Sequence, residues 1–507
     1  MFPEKINRMY KYLNARNIFL SLGILFVFFI ALRPPLDPDM GWHLKDGEYL
    51  IEHGFQVAKL DIFSYTMPNF PLIMHEWVTD TLMWILLTKV GLFSLSVFFA
   101  IATTIAFVLA SFGVSAKNEY KIIAAMLGII ASIPILGARP QMLSLLGLAL
   151  IIFIVLKFRK NPDSKIIYFA PLVMFLWVNF HGGFAVGLFF IGLFLGIEIG
   201  KQVLIFILKK SSKKTNQFSD WIKKQTLPGS AIKKLSLVFV FSALATFINP
   251  YGWRMYIEVV TTIFDTYARS NIGEWLPVLP SNPMSFQFII YLALLTILLI
   301  FSYRKIDYTY LIISGVFCYL GFSSWRHMPV FLIVSIPLWV TIVESLVGRE
   351  LLFVVRKKWF LLIFFVTVLV VANQRIDDSF GNSSIEKVAE KGNYPLAAVE
   401  YLKKNPIAGN MFNEYNWGGF LVWQYPEKKT FIDGRMPSWR MNGFSIFQQF
   451  NKTMKYDEGW NETFQKYNIS FALVYNNPIN EMMFSSIGWK KIYSDPSTFI
   501  FLREEGK

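Results

Sequence analysis

The sequence predicts an α-helical polytopic membrane protein of about eleven transmembrane helices with a small C-terminal α/β domain. Three observations predict it. The 507 residues are 54% hydrophobic and 16% charged, where a soluble domain carries about 25% charged residues. Apolar stretches of roughly 15–25 residues recur through the first three quarters, the length that crosses ~30 Å of hydrocarbon. Lys and Arg are also spread unevenly over the segments between those stretches, as the positive-inside rule requires.

Spans are predicted near 17–32, 93–113, 121–137, 142–157, 166–180, 183–207, 235–248, 286–302, 309–323, 328–345 and 358–372. With the N-terminus cytoplasmic, the segments assigned to the inner side hold 24 Lys/Arg, eight of them in 209–234. The outer loops are much poorer in basic residues. The formal charge of +15 is therefore a topology signal, and nucleic acid is not an expected partner. The basic inner loop suits contact with anionic membrane lipids. The first apolar segment runs into ALRPPLDPD, polar and Pro-rich with no small-residue cleavage site, so an uncleaved anchor is expected. The single cysteine, Cys318, lies within a span, which excludes a disulfide framework and a cysteine metal site. The expected location is the plasma membrane, multi-pass, with an extracytoplasmic C-terminal domain. The Lys-, Ile- and Phe-rich composition points to a bacterium.

The organisation expected is a transmembrane domain over 1–372, with a long outer first loop at 33–92, and an extracytoplasmic α/β domain over 373–507. The first loop is too long for a plain connection. MGWHLKDGEYLIEHG reads as a short helix with Asp39 as N-cap and Gly54 as its stop. HEWVTDTLMWILLTKVG reads as a second surface helix ended by Gly91, and Trp42, Trp77 and Trp84 suit an interfacial depth. In the tail, NYPLAAVEYLKKN and residues 440–468 read as helical. GNMFNEY, KKTFID, SFALVYN, WKKIYSD and TFIFLRE read as strands, the last two forming a hairpin around Asp495-Pro496.

All five histidines (His43, His53, His75, His181, His327) fall in outer loops or at outer span ends. GARPQM adds Arg139 on that side, WVNFHGGF adds Asn179, INPYGWRMY adds Asn249, GEWLP adds Glu274 and SSWRHMP adds Arg326. Each site alone has a mild structural explanation: Pro and Gly end helices, Arg snorkels, Trp sits at the interface. Together they read as a substrate path, because polar groups at a membrane edge are expensive to bury. On a helix, Asp39, His43 and Asp46 lie on one face, with Asp37 just before it. The bland reading makes Asp39 a cap and Asp37 a solvated charge. The functional reading makes one of the two carboxylates a general base. A third reading is metallic: Asp37 and Asp39, with His43, His75 and Glu76, form an oxygen/nitrogen donor set for Mg²⁺ or Mn²⁺.

Two Asp after the first span, a long outer first loop and an outer tail domain resemble the GT-C superfamily of membrane glycosyltransferases. DPDMGWHLKDG, DIFSYTMPNFPLIMHEW, ARPQM, WVNFHGGF, NPYGW and YNWGGFLVWQYP…FIDGR look like those of a bacterial branch of GT-C-like proteins. The resemblance implies a polyprenyl-phosphate-linked sugar donor, a glycan, lipid or protein acceptor, inverting transfer, and Asp37 or Asp39 as catalytic base or metal ligand. Arg139, Arg326, His181 and His327 then belong at the depth of the donor phosphate. His75 and Glu76 would order the first loop or bind acceptor. Asp433-Gly434-Arg435 is either a site or a charged strand exit. Two other readings are a transporter or flippase for a lipid-linked glycan and a non-catalytic GT-C-like scaffold. The spans are nearly clean of charge and show no half-repeat, which disfavours transport.

Overall fold

The computed structural model describes residues 14–211, 217–302 and 306–504. The basic residues of 1–13, 212–216 and 304–305 that contribute to the orientation argument lie outside the described residues. Helices follow in chain order: α1 Ala15–Ala31, α2 Met40–Glu52, α3 Trp77–Val90, α4 Phe93–Phe112, α5 Asn118–Ala131, α6 Gln141–Lys160, α7 Ala170–Phe180, α8 Ala185–Ser211, α9 Gln217–Lys224, α10 Gly229–Ala245, α11 Arg254–Phe264, α12 Thr266–Asn271, α13 Phe286–Ser302, α14 Tyr308–Ser323, α15 Met328–Val355 and α16 Lys358–Gly381. The tail adds α17 Ile385–Gly392, α18 Leu396–Lys404, α19 Gly418–Gln424, α20 Ile446–Met454, α21 Glu462–Lys466 and α22 Pro478–Ser486, with four strands.

Every predicted span is helical. Among the described residues, six helical segments are long and apolar enough to cross a membrane: Phe93–Phe112, Gln141–Lys160, Gly182–Lys210, Pro283–Ser302, Trp325–Leu346 and Lys358–Gly381. This is a multi-pass membrane protein. The other five are shorter, such as the 14-residue α5, so a span count of eleven is not reached on length alone. Lipid contact explains the exposed faces: Ile297, Ile300 and Phe301 on α13 and Leu362, Ile363 and Val366 on α16 are open, which water would not tolerate in so wide an apolar strip.

The chain divides into two compact units. The first comprises residues 14–33, 97–253 and 269–378. It is an all-helical bundle whose ends are tied by ions. Glu119 accepts from Arg356, with Arg16 at 3.8 Å. Arg159 forks onto Asp307 at 2.6 and 3.1 Å, while Glu198, buried, pairs with Lys201 at 2.5 Å and accepts from the Leu227 amide at 2.8 Å. These pairs join segment ends that the charge pattern assigns to one side. Glu198, the charge inside a predicted span, is therefore satisfied by its neighbours.

The second unit comprises 34–96, 254–268 and 379–504, so the first loop, α11 and the tail share one core. Its sheet has four strands, β1 Asn410–Asn413, β2 Ile469–Tyr475, β3 Lys490–Ser494 and β4 Thr498–Leu502, in the order β1-β2-β4-β3. β1 runs parallel to β2; the other neighbours are antiparallel. Asp495 closes the predicted hairpin by accepting from the amides of Ser497 and Thr498 at 2.8 Å. KKTFID is not a sheet strand. It lies against the first loop, bridging Thr430 to Ser64, with Thr66 donating to the Phe431 carbonyl at 2.7 Å and Tyr65 to that of Met411 at 2.9 Å. Residues 440–468 form two helices, α20 and α21, rather than one. α11 belongs to the same core, where Asp265 pairs with Arg440 at 2.5 Å.

Candidate active site

The segment Leu36–Met40 folds against the tail. Tyr394 donates to the Leu36 carbonyl at 3.1 Å. Asp37 accepts from the Asp39 amide at 2.9 Å. Asp39 stands at the expected N-cap position of α2, but its side chain makes no capping hydrogen bond; its Oδ1 accepts from the Trp42 indole at 3.0 Å. A Cβ on Gly434 would come within 1.7 Å of that same Oδ1, so the Asp433-Gly434-Arg435 turn packs closely on the Asp39 carboxylate. A Cβ on Gly41 would stand 2.0 Å from the Gly419 carbonyl, so the start of α2 meets the start of α19 backbone to backbone. Trp42, expected at an interface, is instead buried, its ring 3.6 Å from that of His43.

One face of α2 then meets α3. His43 Nδ1 lies 2.7 Å from Asp80 Oδ1 and 3.2 Å from Glu76 Oε2. Glu76 and Asp80 are four apart and share a helix face. Gly47 brings the helices this close: a Cβ there would be 2.1 Å from the Asp80 carbonyl oxygen. His75 Nε2 is 3.5 Å from Glu76 Oε1. Burial pulls the His75 imidazole down, but Glu76 beside it and Glu258 hold it up at about 9. Burial pushes Asp80 well above the usual carboxylate range, and the neighbouring Glu76 charge adds to this. Asp46, three residues after His43, is pushed up by burial as well, partly opposed by Arg435. Arg435 itself is held between Asp433 at 2.7 Å and Asp61 at 2.9 Å, under the rings of Phe63 and Trp439. His43, Glu76 and Asp80 can together hold a metal ion.

The other expected residues lie in the helical bundle. Arg139 and Arg326 converge on Glu274: Arg139 donates to Oε1, and the Arg326 Nε is 3.3 Å from Oε2. Burial would raise the Glu274 carboxyl, but the two guanidinium groups hold it below its ordinary value. Arg326 also covers the Trp275 ring at 5.0 Å, and His327 meets that ring edge-on at 6.0 Å. The arrangement is a two-arginine anion cradle with a protein carboxylate in it. His181, Asn179 and Asn249 take part in local structure. His181 Nδ1 accepts from the Gly183 amide at 2.8 Å and lies 2.7 Å from Ser144 Oγ. Asn179 donates to the carbonyls of Phe175 and Ile248 at 2.8 and 2.9 Å. Asn249 accepts from the Tyr251 amide at 2.8 Å within its turn.

Sequence reasoning missed Asp80 and Asp61, and it singled out the Asp433-Gly434-Arg435 turn without the pairing of Arg435 to Asp61. The signal for Asp80 was present, since Glu76 and Asp80 stand at helical i, i+4 spacing opposite the His43/Asp46 face. Asp61 and Arg435 are 374 residues apart in sequence, and no local pattern pairs them.

No protein-family model matches the chain, and no curated protein is similar to it. Among solved structures it is similar to the ArnT of Cupriavidus metallidurans bound to undecaprenyl phosphate. The identity is 12% and the TM-score 0.48, over 96% of this chain and 98% of that one. It is also similar to the oligosaccharyltransferase of Archaeoglobus fulgidus in complex with Zn and sulfate. There the identity is 11% and the TM-score 0.46, over 96% of this chain and 73% of that one. Likeness at this level assigns neither an activity nor a substrate to this chain.

Proposed function

We propose that the chain is an integral membrane glycosyltransferase. It moves a sugar from a polyprenyl-phosphate donor to an acceptor hydroxyl at the outer membrane face, with inversion and with Asp37 or Asp39 as the base. The observation that carries this reading is the clamped carboxylate pair. Asp37 and Asp39 follow directly on the first apolar helix, and Asp39 is held by the Trp42 indole and packed against Gly434. A pair serving only as a helix cap would have no need of a second segment folded onto it. Held carboxylates suit general-base work, where position precedes pKa.

In the reaction, the acceptor oxygen bonds to the anomeric carbon as the bond from that carbon to the donor phosphate breaks. The aspartate takes the acceptor proton, and the polyprenyl phosphate leaves as an anion. Its lipid tail keeps the phosphate at head-group depth, which suits a protein whose apolar helices are long enough to cross a membrane. In the helical bundle, Arg139 and Arg326 gather around the Glu274 carboxylate, a pair of guanidinium groups of the kind that binds anions.

The test is a transfer assay with full-length protein in detergent and a panel of radiolabelled polyprenyl-phosphate sugars. The product anomer is read by NMR. Replacing the base, Asp37→Asn or Asp39→Asn, should lower turnover by about 10²–10⁴-fold with expression and helix content unchanged. If both variants transfer sugar at the parent rate, the base assignment is wrong. If the parent transfers none of the sugars while its cellular phenotype survives both substitutions, the scaffold reading takes its place.

A further inference from the structure

We propose that His43, Glu76 and Asp80 bind a divalent transition-metal ion between α2 and α3. The three donor atoms, one from each residue, all lie within 4.8 Å of one another. The side chains are buried, with Asp80 1% exposed. One carboxylate oxygen of the cluster, Asp80 Oδ2, has no hydrogen-bond partner. Buried oxygens of that kind carry the full cost of lost hydration unless a proton or a cation meets them.

The donor set also selects among metals. A mixed imidazole and carboxylate set suits zinc or manganese, whereas magnesium and calcium prefer oxygen alone. The scaffold is built close and stiff, since Gly47 lets the Asp80 backbone lie directly against α2. This site keeps His43 and Glu76 from the metal reading of the sequence and has Asp80 in place of Asp37 and Asp39, whose carboxylates accept from the Asp39 amide and the Trp42 indole. The bound ion would pin α2 to α3 and so fix the helix that begins beside Asp39. It does not depend on the glycosyltransferase reading, because it is a binding claim.

The experiment uses the full-length protein in detergent, stripped with chelator and then titrated separately with Zn²⁺, Mn²⁺, Mg²⁺ and Ca²⁺. Metal content is read by mass spectrometry, stability by thermal unfolding, and ligand field by the visible spectrum of the Co²⁺ form. The expected result is a single zinc or manganese ion per chain, a higher Tm, and cobalt bands that vanish in His43→Ala and Asp80→Asn. Glu76→Gln should bind measurably more weakly, and Asp37→Asn should bind as the parent does. Should Asp80→Asn fail to fold, Glu76→Gln and His43→Asn decide, with helix content as the control. The proposal is overturned if the parent retains no ion, or if His43→Ala and Glu76→Gln retain it undiminished. It is equally overturned if the parent prefers magnesium or calcium.

Discussion

Gly47→Ala tests the packing on which the His43–Glu76–Asp80 cluster rests. The added methyl would sit 2.1 Å from the Asp80 carbonyl oxygen and 2.6 Å from its carbon, where ordinary contact begins at 3.4 Å. Both obstacles are backbone, so no rotamer change relieves them, and α2 and α3 must part by about 1 Å. Overpacking of this kind costs about 1–3 kcal/mol, against about 1 kcal/mol gained by replacing a helical glycine with alanine. The net expectation is a loss of up to about 2 kcal/mol. Gly196→Ala on α8 is the internal control. A Cβ there meets nothing within 4 Å, so the same substitution keeps only the helix-propensity gain. Thermal unfolding of the three proteins in one detergent should place Gly47→Ala below the parent and Gly196→Ala at or above it. A Gly47→Ala protein as stable as Gly196→Ala would mean that the close approach of the two helices does not exist in solution.

Three other outcomes follow from the same reasoning. Burial pushes the Glu414 carboxyl up to about 7, against a hydrogen bond from the Tyr475 amide that lowers it. Its folded value lies above its unfolded one, so its stabilisation is complete below about pH 4.5 and is lost as pH rises through 7. That amounts to at most about 3 kcal/mol; the fall in Tm between pH 5 and 8 should be smaller in Glu414→Gln than in the parent. Arg435→Ala leaves Asp61 and Asp433 as buried unpaired carboxylates, and should cost about 3–5 kcal/mol, read as a lowered Tm or as proteolysis of the 379–507 segment. Arg435→Lys should recover little of this, because one ammonium cannot reproduce the fork that spans Asp61 and Asp433. Glu274→Gln removes the counter-charge held by Arg139 and Arg326, so inhibition of transfer by inorganic pyrophosphate should become stronger; weaker inhibition would contradict the anion-cradle reading.

The sequence by itself determined the class of the molecule and most of its helices. Apolar length and helical spacing are local properties, and α4, α6 and α13 fall where the pattern put them for that reason. The stops of α2 and α3 were equally legible, because Gly54 and Gly91 adopt positive φ, which glycine reaches without strain. His43, His75 and Glu76 were legible as a polar cluster of the first loop, and the orphaned geometry of Asp46 and Asp80 was not. Only the tertiary structure decided that KKTFID pairs with Ser64 rather than with the sheet, that Arg435 bridges to Asp61, and that Gly434 touches Asp39. It also decided that Asp39 spends its carboxylate on Trp42 instead of capping its helix. These contacts join the first loop to the tail across more than 300 residues of sequence. Propensity and periodicity reach only a few residues along the chain, whereas burial of a charge or a backbone carbonyl is settled by whichever distant segment can fill the space beside it.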